Sequence, residues 1–209
     1  MNTWLLLLPL LIPFAGVPLT LALRKRRRIQ SALALGLMLA ALGFTLGLLR
    51  AVLMTDQPVS VQMGLWQAPF GITLTADPLG VFMVLMSQIV LSAGLIYSLG
   101  STEKVVQYPT YYPLFLALAT GLTGAFLTGD LFNLFVFAEI IVISGAVLTA
   151  IADDAYGVEA AYKYFYISTL AATFFLLGIG SLYVAHGTLN LADLAARIAS
   201  NPSAPLTMA

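Results

Sequence analysis

The chain has 209 residues, of which 60% are hydrophobic and 9% charged, and its mean hydropathy of +0.97 excludes a soluble core with a hydrated surface. It contains no cysteine and one histidine, which excludes disulfides, thiolate metal sites, ligated iron–sulfur clusters and cysteine nucleophiles and leaves no metal-ligand spacing. The net charge is zero and the one dense basic run, residues 24–28, adjoins an apolar segment. We therefore predict no cofactor, no metal and no nucleic-acid partner.

Six apolar segments are each long enough to cross a lipid bilayer, although the fourth is marginal in length. They predict an all-α integral membrane protein with about six transmembrane helices. We expect the first segment to be a retained helix rather than a signal peptide, because its positive charges follow the apolar run. The segments cover about residues 3–23, 29–53, 78–99, 111–128, 130–151 and 158–185.

The distribution of basic residues predicts the orientation of these helices, because short cytoplasmic loops hold the excess of Lys and Arg. With the N-terminus outside, residues 24–28, Lys104 and Lys163 fall on the inner side. Only Arg50 and Arg197 then fall on the outer side. We predict a multi-pass protein of the cell membrane with its N-terminus outside, in which residues 24–28 determine topology rather than bind a specific anionic lipid.

Residues 59–65 and 72–76 alternate apolar and polar side chains on either side of a turn at 67–71, which predicts an external β-hairpin. Asp77 and Pro78 then form a cap and a first helical position for the next helix. The hairpin is most simply interpreted as an ordered cover for the membrane domain.

An apolar stripe at helical spacing follows the cap candidate Asn190 and predicts a short amphipathic helix after the last span, on the outer surface. Residues 200–209 contain two prolines without periodicity and predict a loop. The predicted organisation is a helix pair at 1–55, the hairpin at 56–77, the remaining spans at 78–186, and an amphipathic helix and tail at 187–209.

Glu139 is the only charged residue between positions 131 and 151, within the fifth predicted span. It lies nine residues past Asp130, or about 13 Å along a helix axis, close to the middle of a hydrocarbon core about 30 Å thick. A carboxyl group at that depth costs a few kcal/mol or more and is a functional candidate. The alternative is a permanently protonated Glu139 that donates one interhelical hydrogen bond.

Small residues near Glu139 predict that its carboxyl group faces a crowded bundle interior rather than lipid. These small residues are Ser144 and Gly145 on the fifth span. Gly121 and Gly124 lie on a small-residue face of the fourth span, where they predict close packing of another helix. Burial favours the neutral form of a carboxyl group and a nearby cation favours the charged form. A buried glutamate beside a cation that moves can therefore take up and release a proton.

Four further residues are candidates for such a proton path, and each has a structural alternative. Lys163 is the candidate cation, but Glu159 four residues earlier could pair with it on the same helix. His186 could relay protons, although a solvated histidine at a helix end is the simpler interpretation. Thr128 and Ser144 could hold water or form hydrogen bonds across helices. The alternative for both is a purely structural role in packing.

Three stretches closely resemble the D-type subunit of the multisubunit Mrp-type cation/proton antiporters. They are residues 126–139 (Phe-Leu-Thr-Gly-Asp-Leu-Phe-Asn-Leu-Phe-Val-Phe-Ala-Glu), 162–164 (Tyr-Lys-Tyr) and 187–194 (Gly-Thr-Leu-Asn-Leu-Ala-Asp-Leu). The same module is similar to the antiporter-like subunits of respiratory complex I and membrane-bound hydrogenases. The resemblance implies that Glu139 is the family's proton-exchanging glutamate and that Lys163 is a lysine near the same polar axis.

The resemblance also implies further helices with a seventh-helix lysine and a second half-channel, whereas this sequence stops at Ala209. We expect a fragment, a split subunit or a half completed by another polypeptide. The predicted function is a proton-translocating subunit, not itself an enzyme, in a multisubunit antiporter that exchanges protons for sodium or another monovalent cation. Its partners are other membrane subunits. The alternatives are the same module in a redox-driven pump and a non-conducting structural or assembly subunit.

Overall fold

The computed structural model describes residues 3–55, 57–66, 68–151 and 154–200, and these residues are predominantly helical. Helices α1 to α3 cover Trp4–Ala22, Arg27–Thr55 and Pro78–Gly100, a short α4 covers Lys104–Gln107, and α5 to α8 cover Tyr111–Leu127, Leu131–Ala150, Ala155–His186 and Leu191–Ser200. Strands β1 and β2 are Val59–Gln62 and Thr73–Ala76. The predicted all-α membrane fold is confirmed.

Helices α1, α2, α3, α6 and α7 are long and apolar enough to cross a membrane, and α5 is a shorter apolar helix of 17 residues. At about 1.5 Å per residue, α5 is about 25 Å long, near the lower limit for a span. It connects the end of the bundle where α3 finishes to the hairpin, where Thr128 bridges Leu74 of β2. Helix α5 therefore covers the same depth as its longer neighbours.

Two clusters of buried apolar residues hold α1, α2, α3 and α5 together as a bundle. The cluster under the hairpin includes Leu6, Leu48, Leu74 and Leu127. The cluster at the opposite end includes Met38, Leu95, Tyr112 and Leu116. Helix α6 packs on α5, and α7 packs on α6, so these two helices extend the bundle on one side.

The contact between α5 and α6 is close because α5 presents glycines to it. A Cβ atom on Gly124 would overlap the Phe137 ring, and one on Gly121 would lie 2.7 Å from Ile141. Neither position has room for a larger side chain without movement of its neighbour. The predicted packing role of these small residues is confirmed.

The hairpin forms as predicted, but its first strand is shorter than the sequence pattern indicates. Strands β1 and β2 pair antiparallel, with Val59 opposite Ala76 and Gln62 opposite Thr73. The predicted strand through residue 65 is wrong at its end, where Met63–Leu65 is a 3-10 turn and Gly64 has a φ of 66°. Glycine tolerates this backbone conformation, which ends the regular pairing. Residue 67 of the predicted turn lies outside the described residues.

Backbone hydrogen bonds join the hairpin to the loops that follow α5 and α7. The Gly129 N–H donates to the Thr73 carbonyl at 2.8 Å, and the Leu191 N–H donates to the Gly129 carbonyl at 2.9 Å. Asn190 adds a side-chain bond from Nδ2 to Thr73 Oγ1 at 2.8 Å. We call this group, residues 59–76, 128–130 and 188–190, the hairpin layer. The hairpin layer lies at one end of the bundle, and residues 24–28, Lys104 and Lys163 lie at the opposite end.

Helix α8 folds back onto the end of α7, as a capped amphipathic helix. The Asn190 side-chain oxygen accepts from the N–H groups of Ala192 and Asp193, both at 3.1 Å, and Leu194 is buried. Arg197 donates to the His186 carbonyl at 2.7 Å and to Asp193. That hydrogen bond from Arg197 holds the pKa of the Asp193 carboxyl group below its usual value. The predicted loop at 200–209 lies outside the described residues except for Ser200, which ends α8.

Candidate proton site between two membrane helices

Glu139 lies on α6, which begins at a capped turn. The Asp130 side chain accepts from the Asn133 N–H at 2.8 Å and fixes the first turn of the helix. Glu139 follows about two turns later. Phe137 and Ile141, two positions away on either side, face α5. Because alternate helical positions point in nearly opposite directions, Glu139 faces α7 instead.

The Glu139 carboxyl group lines a groove of about 240 Å³ between α6 and α7. Its side chain is half-buried, so it lies at a helix seam rather than in the tight α5–α6 contact. Glu139 and Ser168 are the polar residues of this groove. The remaining lining residues are Phe135, Ala138, Val142, Ala171, Ala172 and Phe175.

Two contacts fix the register of α6 against α7. The rings of Phe135 and Phe175 are 6.3 Å apart, and a Cβ on Gly145 would lie 3.3 Å from the Tyr164 hydroxyl oxygen. For two antiparallel helices, these contacts put Glu139 level with residues 170 and 171. Ser168 is then two to three residues, about 4 Å along the axis, from the level of Glu139.

Lys163 does not lie next to Glu139 in the structure. It lies seven to eight residues, about 11 Å along α7, from the level of Glu139. Its ammonium group forms an ion pair with Glu159, and both side chains are exposed. The two ion pairs of the described residues are this one and Arg197 with Asp193, so Glu139 takes part in neither. The alternative intrahelical pair is therefore formed, and a transport role for Lys163 stays a prediction.

The other predicted path residues lie apart from the groove. Thr128 is in the hairpin layer, where its hydroxyl accepts from Asn133 Nδ2 at 3.0 Å. The buried Ser144 hydroxyl donates to the Ile140 carbonyl of its own helix at 2.6 Å. Both hydroxyls have local structural partners. Their place on a proton path remains a prediction.

His186 is buried, and the interpretation as a solvated helix-end histidine is wrong. Only 9% of its surface is exposed, and its Nε2 atom has no partner among the described residues. Arg197 of α8 holds the His186 carbonyl, so α8 covers the end of α7. The histidine ends the helix before Gly187, whose φ of 67° makes the left-handed cap. Its relay role stays a prediction.

Sequence analysis did not identify a second group of buried polar side chains in the bundle. Thr45 of α2 donates to Gln88 Oε1 at 2.7 Å, and Gln88 Nε2 donates to Thr123 of α5 at 3.4 Å. All three side chains are fully buried. Gln88 is the one side-chain amide in the α3 sequence, and a lone amide in an apolar helix is the signal that could have indicated this group. Hydrogen bonds among these three side chains join α2, α3 and α5.

These features define a multi-pass membrane protein with an ionisable carboxyl group at a helix seam, near the middle of α6. Within the described residues, no three His, Cys, Asp or Glu side chains could hold a metal ion. The chain belongs to the family of NADH dehydrogenase I, subunit N related proteins, whose model matches residues 100–207.

Curated relatives agree with this assignment and confirm the resemblance to the D-type antiporter subunit. The chain is 34% identical to the D-type subunit of the Na(+)/H(+) antiporter of Alkalihalophilus pseudofirmus, over 93% of this chain and 39% of the relative. It is 36% identical to the putative antiporter subunit mnhD2 of Staphylococcus haemolyticus, over 95% and 40%. The chain therefore spans about two fifths of the length of the curated relatives it matches.

Two solved structures share the fold. A chain of the membrane-bound sulfane sulfur reductase, an archaeal respiratory membrane complex, superposes with a TM-score of 0.82 at 29% identity, covering 93% of this chain and 40% of that one. A chain of the Mrp complex from Dietzia sp. superposes with a TM-score of 0.81 at 24% identity, covering 99% and 40%. The second likeness shows the fold alone.

Proposed function

We propose that this chain is the proton-translocating part of an antiporter-like membrane subunit, in an assembly that exchanges protons for sodium or another monovalent cation. The observation that carries the proposal is Glu139, an ionisable group that faces a groove between α6 and α7 at mid-membrane depth. The names of the curated relatives support the antiporter interpretation. Other membrane subunits are the proposed partners, and the chain is a transporter part rather than an enzyme.

In the proposed mechanism, Glu139 alternates between a neutral and a charged form. An approaching cation favours the charged form of a carboxyl group, and its withdrawal favours the neutral form. Glu139 takes a proton through water in the groove and passes it sideways to a lysine. Lys163 is the candidate lysine in this chain, and it has to leave Glu159 to serve. When the lysine charge moves away, Glu139 can bind the next proton.

We further propose that the protein lies in the cell membrane with its N-terminus and the hairpin layer outside. Residues 24–28, Lys104 and Lys163 support this orientation because they collect on the opposite side of the bundle, where the positive-inside rule puts the cytoplasm. Glu139 then lies about two helical turns from the outer end of α6.

The decisive experiment replaces Glu139 with Gln in the assembled complex. Glu139→Gln keeps the shape and a hydrogen-bond donor but cannot titrate. We expect sodium-driven proton movement in sealed membrane vesicles to fall to the level of vesicles without the complex, while the amount of assembled complex stays the same. The measurement is the change in fluorescence of a pH-sensitive dye on addition of sodium.

Glu103→Gln is the matched control, because Glu103 is exposed and lies outside the spans, before α4. It makes the same chemical change and should leave transport intact. Unchanged transport in both variants would contradict the proposal and favour the non-conducting structural subunit, in which Glu139 is only a hydrogen-bond donor.

A second candidate function is the same module inside a redox-driven proton pump. The likeness at 29% identity to a chain of an archaeal respiratory membrane complex favours it, as does the family match. The partners discriminate between the two. A redox-driven complex purifies with subunits that carry electron-transfer cofactors and moves protons when an electron donor is added, whereas an antiporter responds to a sodium gradient alone.

A further inference from the structure

Ser168 shares the groove with Glu139 and is the other polar residue that lines it. The α6–α7 register puts it within about one helical turn of the level of Glu139. Ser168 is half-buried, while Tyr166, Ile167, Thr169 and Leu170 around it are exposed. The hydroxyl therefore points toward the seam rather than toward lipid.

The Ser168 hydroxyl is also free to bond into the groove. The other serine and threonine residues of α7, Thr169, Thr173 and Ser181, each donate to the carbonyl four residues earlier, at 2.8 to 2.9 Å. This is the usual way in which a helix satisfies a hydroxyl in an apolar environment. Within the described residues, Ser168 makes no such bond.

We infer that Ser168 is a positioning residue for proton exchange at Glu139: its hydroxyl holds water in the groove against the Glu139 carboxyl group. Side chains on a helix tilt toward its N-terminus, so on these antiparallel helices the two groups point apart and a water molecule has to bridge them. A groove of about 240 Å³ has room for several waters at about 30 Å³ each. This inference rests on the proposed function of Glu139.

No other ionisable side chain of the described residues lines the groove. On α7, the ionisable residues nearest to Ser168 along the chain are Tyr166, Tyr164, Lys163, Tyr162 and Glu159, all toward the basic side of the bundle. On α5, which packs against the other face of α6, Tyr111 and Tyr112 lie in the first turn. Ser168 lies between the α7 group and Glu139, so water held there continues the polar path from the basic side.

The test is the pH profile of transport by the full complex in vesicles. Ser168→Ala should lower the maximal rate severalfold and move the pH midpoint upward by about half to one pH unit, because loss of a donor disfavours the charged carboxylate. Ser168→Thr keeps a hydroxyl group at this position, so its maximal rate and pH midpoint should match those of the unsubstituted complex. Ser181→Ala is the matched control, since Ser181 already bonds within its own helix, and it should change neither value.

If Ser168→Ala does not assemble, Ser168→Cys decides the question, because a thiol fills the same space but is a weak donor. It should show the same lowered rate and shifted midpoint. An unchanged pH profile in Ser168→Ala or Ser168→Cys, with transport abolished in Glu139→Gln, would overturn the role of Ser168 and leave the proposed function intact. Transport that survives in Glu139→Gln would overturn both.

Discussion

The residues at the start of α6 determine where Glu139 lies, because a rigid helix transmits the position of its first turn. Asp130 is buried and caps that turn, and Asn133 Nδ2 donates to Thr128 in the preceding loop. A cap and a short side-chain bond thus anchor the helix to the hairpin layer. The anchored helix fixes the position of the Glu139 carboxyl group two turns later. Glu139 has no ion-pair partner among the described residues.

Asp130→Ala tests this anchoring. It removes the acceptor for the Asn133 N–H, and loss of an N-cap costs about 0.5–2 kcal/mol of stability. We expect a lower thermal unfolding temperature in detergent. Asp130→Asn keeps a capping oxygen and should unfold close to the unsubstituted protein. Equal unfolding temperatures for Asp130→Ala and the unsubstituted chain would show that Asp130 does not stabilise α6.

Sequence reasoning located Glu139 because one charge in an apolar span is visible without a structure. Ser168 and Gln88 escaped it, because only the rotation and register of α7 and α3 show which neighbouring helices these side chains face. His186 was misinterpreted for a related reason. Helix α8 folds back onto the end of α7, where Arg197 donates to the His186 carbonyl, and helical periodicity does not predict this contact.

At the scale of elements, the close contact of α5 with α6 depends on glycines, and Gly124 is the position with the least room. Gly124→Ala puts a Cβ into the Phe137 ring, closer than any stable contact. Overpacking of this kind costs about 1–3 kcal/mol. We expect a lower unfolding temperature and a displaced α6, measured as loss of both stability and transport.

Gly36→Ala is the matched control on α2, where a Cβ would meet nothing within 4 Å. Because alanine is the better helix former by about 1 kcal/mol, this variant should be as stable as the unsubstituted chain or more so. A destabilisation equal to that of Gly124→Ala would mean that the cost does not come from the α5–α6 contact.

The boundaries of the long helices could be predicted to within about three residues, since length and hydropathy decide which segments span a bilayer. Short elements could not. The first strand ends early because Gly64 takes a left-handed conformation, and the single turn of α4 has too few residues to show a period. The joining of loops 128–130 and 188–190 to the hairpin is a long-range backbone contact, for which sequence spacing gives no signal.

The whole molecule has two unlike faces, and they support the proposed orientation in the membrane. One face carries the hairpin layer, in which three separate segments share backbone hydrogen bonds. The other carries residues 24–28 and Lys104, all at helix ends or in short connections. Because the positive-inside rule acts on such connections, the proposed orientation puts the hairpin layer outside.

Cysteine labelling in right-side-out vesicles tests this orientation on a background free of native thiols, because the chain contains no cysteine. Ser60 on the hairpin and Thr102 before α4 are both exposed. A membrane-impermeant maleimide should label Ser60→Cys directly and Thr102→Cys only after the vesicles are opened. The reverse pattern would invert the molecule and move Glu139 toward the cytoplasmic half, whereas labelling of both variants in sealed vesicles would mean that α3 does not cross the bilayer.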